Sequence, residues 1–270
     1  MTRRYTFEDL KYLMSRLRDP VDGCPWDIKQ DYRSIVPHTL EEVYEVIDTI
    51  EREDFAHLSE ELGDLLFQVV FYAQIAKDDE KFTLDDVIHG LVAKLIYRHP
   101  HVFPEGVLED RWQHQRPSDA QINQQWDALK AEEKSTLSKS VLHDVPKSLP
   151  GLLRAKKLQG KAAKVGFDWP DIDQVIEKVH EELDELKAAI KNGRQRDIED
   201  ELGDLLFVLA NIARHTGVDP EQAVRSTNSK FESRFGYVEK CVHHSGKPWQ
   251  EFTLAELDQF WSQAKRKERE

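Results

Sequence analysis

Two stretches placed 140 residues apart constrain this chain more than any other feature of it. Glu181-Glu182-Leu183-Asp184-Glu185 is followed by Glu201-Leu202-Gly203-Asp204-Leu205-Leu206-Phe207, and Glu41-Glu42-Val43-Tyr44-Glu45 by Glu61-Leu62-Gly63-Asp64-Leu65-Leu66-Phe67. Over residues 41–75 against 181–215, twelve of thirty-five positions are identical, seven of them in the block ELGDLLF. An internal duplication is the economical explanation, so the 270 residues divide into two copies of one domain.

Each copy pairs EExxE with ExxD. Residues three apart share a helix face, so Glu182 with Glu185, and Glu201 with Asp204, each point two carboxylates the same way. The first copy does the same with Glu42, Glu45, Glu61 and Asp64. Crowded carboxylates raise one another's pKa and cost stability unless a cation sits among them. An oxygen-only donor set suits magnesium, which keeps waters and pairs with substrate phosphates. The bland alternative is the wet face of an acidic helix. Phase argues against it: Glu182 falls in register with Val175, Val179, Leu186 and Ala189, so the acids continue an apolar stripe.

Outside these stretches every periodic segment has a helical period, and none alternates as a strand would. The expected fold is all-α, with two duplicated small helical-bundle domains of about four helices each. Residues 135–150, with Val145-Pro146 and Leu149-Pro150 among serines and lysines, read as a linker. The domains are then 1–134 and 151–270. A net charge of −13 repels nucleic acid and anionic membrane, so a phosphate-bearing substrate would need metal ions and locally placed cations. Cys24 and Cys241 form no disulfide framework and no zinc spacing, which fits a reducing cytoplasm. The start MTRRYTFEDL has no apolar signal region, and the longest apolar run, Leu65 to Ala76, is broken by Gln68 and Gln74.

Smaller features carry two readings each. Trp26 and Trp169, in loops ahead of the acidic helices, could plug a core or stack on a nucleobase. Lys94 with Arg98 and Lys230 with Arg234 lie four apart downstream of the acids, where they could lie on a solvated face or grip phosphates. Thr39-Leu40-Glu41-Glu42 reads as a capping box, and Gly63 and Gly203 suggest a close approach by another helix or a ligand. Trp126 to Lys130 repeats Trp261 to Lys265 near the ends of the two copies. In Arg98-His99-Pro100-His101, two histidines flank a proline with no second ligand cluster, which favours a loop role.

CPWD at 24–27, EEVYE, ELGDLLFQVVFYAQIA, RHPHVF, SLPGLLRAKKLQ, VGFDW, EELDE, ELGDLLF and KFESRF together resemble the MazG family of nucleoside triphosphate pyrophosphohydrolases over nearly the whole chain. The resemblance implies hydrolysis of NTPs to NMP and pyrophosphate by a homodimer using magnesium, for which manganese could substitute. It carries metal binding onto Glu182, Glu185, Glu201 and Asp204, and nucleotide contacts onto Lys178, Lys230, Arg234 and Trp261. Similar proteins have a lysine shortly before ExxD. This chain has Asp197 there, with Arg194 and Arg196 nearby as candidates to replace that contact.

The copies differ where Lys178 of the second corresponds to His38 of the first. Lysine is charged at neutral pH whereas histidine titrates near it, so the C-terminal site is the expected catalytic one and the first the weaker or regulatory one. One rival enzyme class is a di-iron carboxylate bundle, for which Glu177-Lys178-Val179-His180 supplies a single Glu-x-x-His match. The non-enzymatic rival is a nucleotide-sensing or partner-binding module with little turnover. No P-loop and no Ser/His/Asp set points to another route.

Overall fold

Helix α3, Tyr32–Glu51, starts where Asp31 accepts hydrogen bonds from the Arg33 and Ser34 amides, with Ser34 closing a reciprocal cap. That cap lies eight residues upstream of the one expected at Thr39. Thr39 is inside the helix, its hydroxyl donating to the Ile35 carbonyl and paired with the Tyr72 hydroxyl at 3.0 Å. Asp31 wins because it satisfies two orphan amides of the first turn at once. Pro37 is tolerated inside this helix. The computed structural model describes residues 3–109, 117–118, 120–122, 125–126, 129 and 140–268. Lys130 and residues 135–139 of the expected linker lie outside them.

The chain divides into two units, residues 1–133 and 134–270. In the first, α1 (Phe7–Leu17), the short α2 (Pro25–Lys29), α3, α4 (Phe55–Asp78) and α5 (Leu84–Arg98) follow in order. Helices α3 and α4 form a hairpin, and α1 and α5 pack against α4. Met14, Ile35, Val70, Phe71, Ala73, Ile75 and Leu84 fill the space between them. Full burial of one such side chain stabilises by roughly 1.5–3 kcal/mol, so Ile35→Ala would loosen the hairpin at its root. Gly23 holds the turn ahead of α2: an added Cβ would collide with the carbonyls of Leu17 and Asp19.

The second unit contains α6 (Gly151–Ala163), α7 (Ile172–Asn192), α8 (Gln195–His215), α9 (Pro220–Ser245), a 3-10 turn (Trp249–Glu251) and α10 (Leu254–Lys267). Helices α7 and α8 form the matching hairpin, α6 packs on α8, α9 on α6, and α10 on α9. The hairpin turns differ at one register position. Gly193 takes φ 73°, while its counterpart Glu53 takes φ 56°, a conformation that costs a residue with a Cβ about 1 kcal/mol.

The described residues contain no strand, as an all-α fold requires, and no helix long and apolar enough to cross a membrane. Among the described residues nothing lies within 4 Å of a Cβ built at Gly63 or Gly203, so no helix of the same unit makes the close approach suggested there. Beside them Leu62, Leu66 and Val69 on α4, and Leu202, Leu206 and Leu209 on α8, remain exposed.

Candidate active site

The apolar stripe of α7 carries Val175, Glu182 and Ala189 at seven-residue spacing, with 0%, 5% and 5% of their surface exposed. Glu182 is thus a core position occupied by an acid. Across from it on α8 stand Glu201 and Asp204, and one carboxylate oxygen from each of the three lies within 4.8 Å of the others. Glu185 stands outside that trio and is exposed, yet it is near enough that, after burial, its charge is the next largest cause raising the pKa of Glu201. Lys178, one turn before Glu182, places its ammonium 2.7 Å from one Glu182 oxygen and 3.0 Å from Glu181. Those bonds hold the Lys178 ammonium well above its ordinary pKa, the Glu182 bond contributing most. The other Glu182 oxygen is buried with no hydrogen-bond partner among the described residues.

An orphaned, buried carboxylate oxygen is costly, and the cost falls away if a cation sits in the cluster. The donor set is oxygen only, which fits a hard divalent cation and is a poor match for iron or zinc. His180 and Glu177, the di-iron candidates, are both exposed and outside the trio. The acidic clusters could therefore hold a metal ion.

The first unit builds its cluster from Glu42, Glu45 and Glu61, with the same 4.8 Å spread. Here Asp64 is outside the trio, though its charge, after burial, raises the pKa of Glu42. The neighbour of the half-buried acid is also different. Gln68, buried on α4, donates its amide to Glu42 at 3.3 Å, and its own carbonyl oxygen has no partner among the described residues. His38, at the place of Lys178, sits 3.9 Å from Glu41 and edge-on to Trp26 at 5.8 Å. The second unit has Val208 where Gln68 stands.

The candidate nucleotide contacts gather on a separate helix pair. Arg234 of α9 lies 5.7 Å from the Trp261 ring of α10, and Phe231 packs on the same ring at 5.3 Å. Phe231 stacks on Phe235, and Phe235 on Trp249, so an aromatic row follows α9. Lys230 is exposed one turn earlier. Lys178 stands with the acids of α7 and α8, whereas Lys230, Arg234 and Trp261 stand with α9 and α10; α6 packs against both α8 and α9. Trp26 and Trp169 keep 51% and 37% of their surface exposed, so neither is a core plug. Arg194 pairs with Asp197 one turn along α8.

Three contacts were not anticipated. Gln68 was visible in the sequence as a polar break in an apolar run, seven residues after Glu61, a spacing that returns it to the acids' face. Asp168 is gripped by Arg214 and faces His215 at 3.4 Å, tying the loop ahead of α7 to the end of α8. Glu268 binds Arg234 across 34 residues, a pairing no local pattern announces.

The fold and these clusters define the class: a duplicated all-α protein whose helix hairpins carry convergent carboxylates. Comparison with known proteins narrows it. The profile of the MazG nucleotide pyrophosphohydrolase domain matches twice, at residues 30–103 and 171–238. The chain is 44% identical over 259 residues, 95% of each chain, to the nucleoside triphosphate pyrophosphohydrolase of Escherichia coli strain K12. It is 41% identical, over 96% of its length and 95% of the relative, to the nucleoside triphosphate pyrophosphohydrolase/pyrophosphatase MazG of Thermotoga maritima. The chain belongs to the MazG nucleotide pyrophosphohydrolase family and is a hydrolase.

Proposed function

We propose that the second unit hydrolyses nucleoside triphosphates to NMP and pyrophosphate, with magnesium held by Glu182, Glu185, Glu201 and Asp204. The observation that carries this reading is Glu182 itself, a core carboxylate with one oxygen on Lys178 and the other unpartnered beside Glu201 and Asp204. Magnesium, when bound, supplies charge neutralisation for the phosphates and a lowered pKa for a coordinated water. Water attacks the α-phosphorus, the bridging bond to the β-phosphate breaks, and pyrophosphate leaves with the bond's electrons. A carboxylate of the cluster, Glu182 or Glu185, accepts the water's proton. Lys178, Lys230 and Arg234 neutralise the departing phosphates, and the Trp261 ring receives the base. Manganese, another oxygen-preferring ion, would substitute for magnesium.

The first unit reads as the weaker or regulatory site. His38 is turned to Trp26 and Glu41 and leaves Glu42 to a neutral amide, which favours nucleotide binding with little turnover there. A homodimer in the cytoplasm completes the proposal. The open space at Gly63 and Gly203, flanked by exposed leucines, suits a helix from a second copy. Such a copy could also bring α9 and α10 to a partner's acids. The reading is tested by incubating the protein with each common NTP and dNTP and magnesium, then separating products. NMP and pyrophosphate are expected; NDP and orthophosphate as first products would overturn it.

A further inference from the structure

Arg234 is already engaged. One oxygen of Glu268 accepts from its Nε at 2.9 Å and from its Nη2 at 2.8 Å, while the guanidinium lies against Trp261. The Lys230 charge acts on the same carboxylate, one of the causes, after the Arg234 bond, holding Glu268 below its ordinary pKa. Glu268 sits at the C-cap of α10, behind Lys265, Arg266 and Lys267. An acid there opposes the helix dipole, so its presence brings the helix no gain, and α10 is already closed at its other end by Thr253 and Glu256. A carboxylate oxygen and a phosphate oxygen are alternative acceptors for the same guanidinium nitrogens. With the two side chains 23% and 33% exposed, the pair can open to solvent and exchange.

We propose that Glu268 is a built-in competitor of the substrate's phosphates for Arg234, so that the nucleotide must displace it to bind. The proposal rests on the reading of Arg234 as a phosphate contact. In the resting state Glu268 masks the charge of Arg234 and keeps the guanidinium against Trp261. Binding of a triphosphate exchanges one charge-assisted pair for another, and the affinity seen is lowered by the pair that was broken. The device would favour polyanions, which recruit Lys230 together with Arg234, over single anions, which cannot outweigh the carboxylate.

The test compares Glu268→Gln, Arg234→Ala and the double variant with the parent, in steady-state hydrolysis of magnesium ATP and in calorimetric binding of inorganic tripolyphosphate. Glutamine keeps the size of the side chain and removes its charge. Glu268→Gln is expected to lower KM and the tripolyphosphate Kd by ~2- to 5-fold with kcat unchanged, the scale of one partly exposed ion pair. Arg234→Ala is expected to raise both, and in that background Glu268→Gln should change neither. If Arg234→Ala weakens binding while Glu268→Gln leaves it unchanged or weaker, the competitor role is overturned and Glu268 positions the arginine instead. If Arg234→Ala alters neither constant, the phosphate-contact reading fails and the competitor proposal with it.

Discussion

The acid clusters of the two units share their spacing and differ in what is bonded to the second acid of EExxE. In the second, the Lys178 ammonium lies 2.7 Å from Glu182. In the first, the Gln68 amide lies 3.3 Å from Glu42. A lysine supplies a full charge that can pass from carboxylate to phosphate, whereas an amide supplies only a dipole that belongs to the pocket. An unpaired buried oxygen lies at each cluster among the described residues, on Glu182 within the second trio and on Gln68 beside the first. The same duplicated scaffold therefore offers one cluster with an ammonium against its second acid and one with an amide there. On the proposed reading, the group one turn before EExxE, rather than the acids alone, sets which site performs chemistry.

That comparison breaks most visibly at the acids themselves. Glu201→Gln and Asp204→Asn remove charge with little change of shape, and each should lower kcat/KM by about 100-fold or more, roughly 2.7 kcal/mol of transition-state stabilisation. Glu61→Gln and Asp64→Asn should stay within about 5-fold for the same NTP, since on the proposed reading theirs is the weaker cluster. Equal losses on both sides would end the distinction.

A smaller effect is expected at the counter-ions. Lys178→Ala should cost about 10- to 100-fold in kcat/KM, and His38→Ala no more than about 3-fold. Stability should fall with Lys178→Ala as well, because Glu182 would stay buried with its charge uncompensated, and should recover as magnesium is added. Thermal melts with and without the ion read this directly.

The pH dependence sharpens the same picture. Glu201, Glu42 and Glu61 are all raised, burial first and neighbouring acids next. Between the unfolded glutamate pKa and these raised values the folded state holds more protons than the unfolded one. The contribution of these groups to metal-free stability is therefore present at low pH and lost as pH rises through that window. Metal binding requires the ionised form and runs the other way. Magnesium should raise Tm by a few degrees near pH 7 and by clearly less near pH 5. A larger gain at the lower pH would contradict the cluster as a cation site.

The smallest effect concerns the hairpin turns. Glu53→Gly should stabilise by up to ~1 kcal/mol and Gly193→Glu destabilise by ~1 kcal/mol, because both positions need a left-handed backbone. Denaturant midpoints would record both.

Much of this was legible from spacing. The duplication, the all-α class and the phase of Glu182 follow from periodicity, and Val175, Glu182 and Ala189 are buried as that phase requires. Helix starts were less legible: the Thr39 signature is overridden by Asp31, whose cap serves two amides. Of the two neighbours that Gly63 and Gly203 suggest, a helix or a ligand, no helix makes that approach among the described residues of either unit. Pairings between distant helices, such as Arg234 with Glu268 or Gln68 with Glu42, depend on how elements stack, which residue spacing along one helix does not encode.

The most direct test of the account sets Glu185→Gln beside Glu45→Gln. Both residues hold the third acid of EExxE, both are exposed on their helices, and both substitutions are neutral in shape. Turnover of one NTP to NMP and pyrophosphate, measured in the full chain with magnesium and normalised to folded protein, should fall about 100-fold for Glu185→Gln and change little for Glu45→Gln. A fold-preserving Glu45→Gln protein that loses as much activity as Glu185→Gln would show that chemistry is not confined to the second unit.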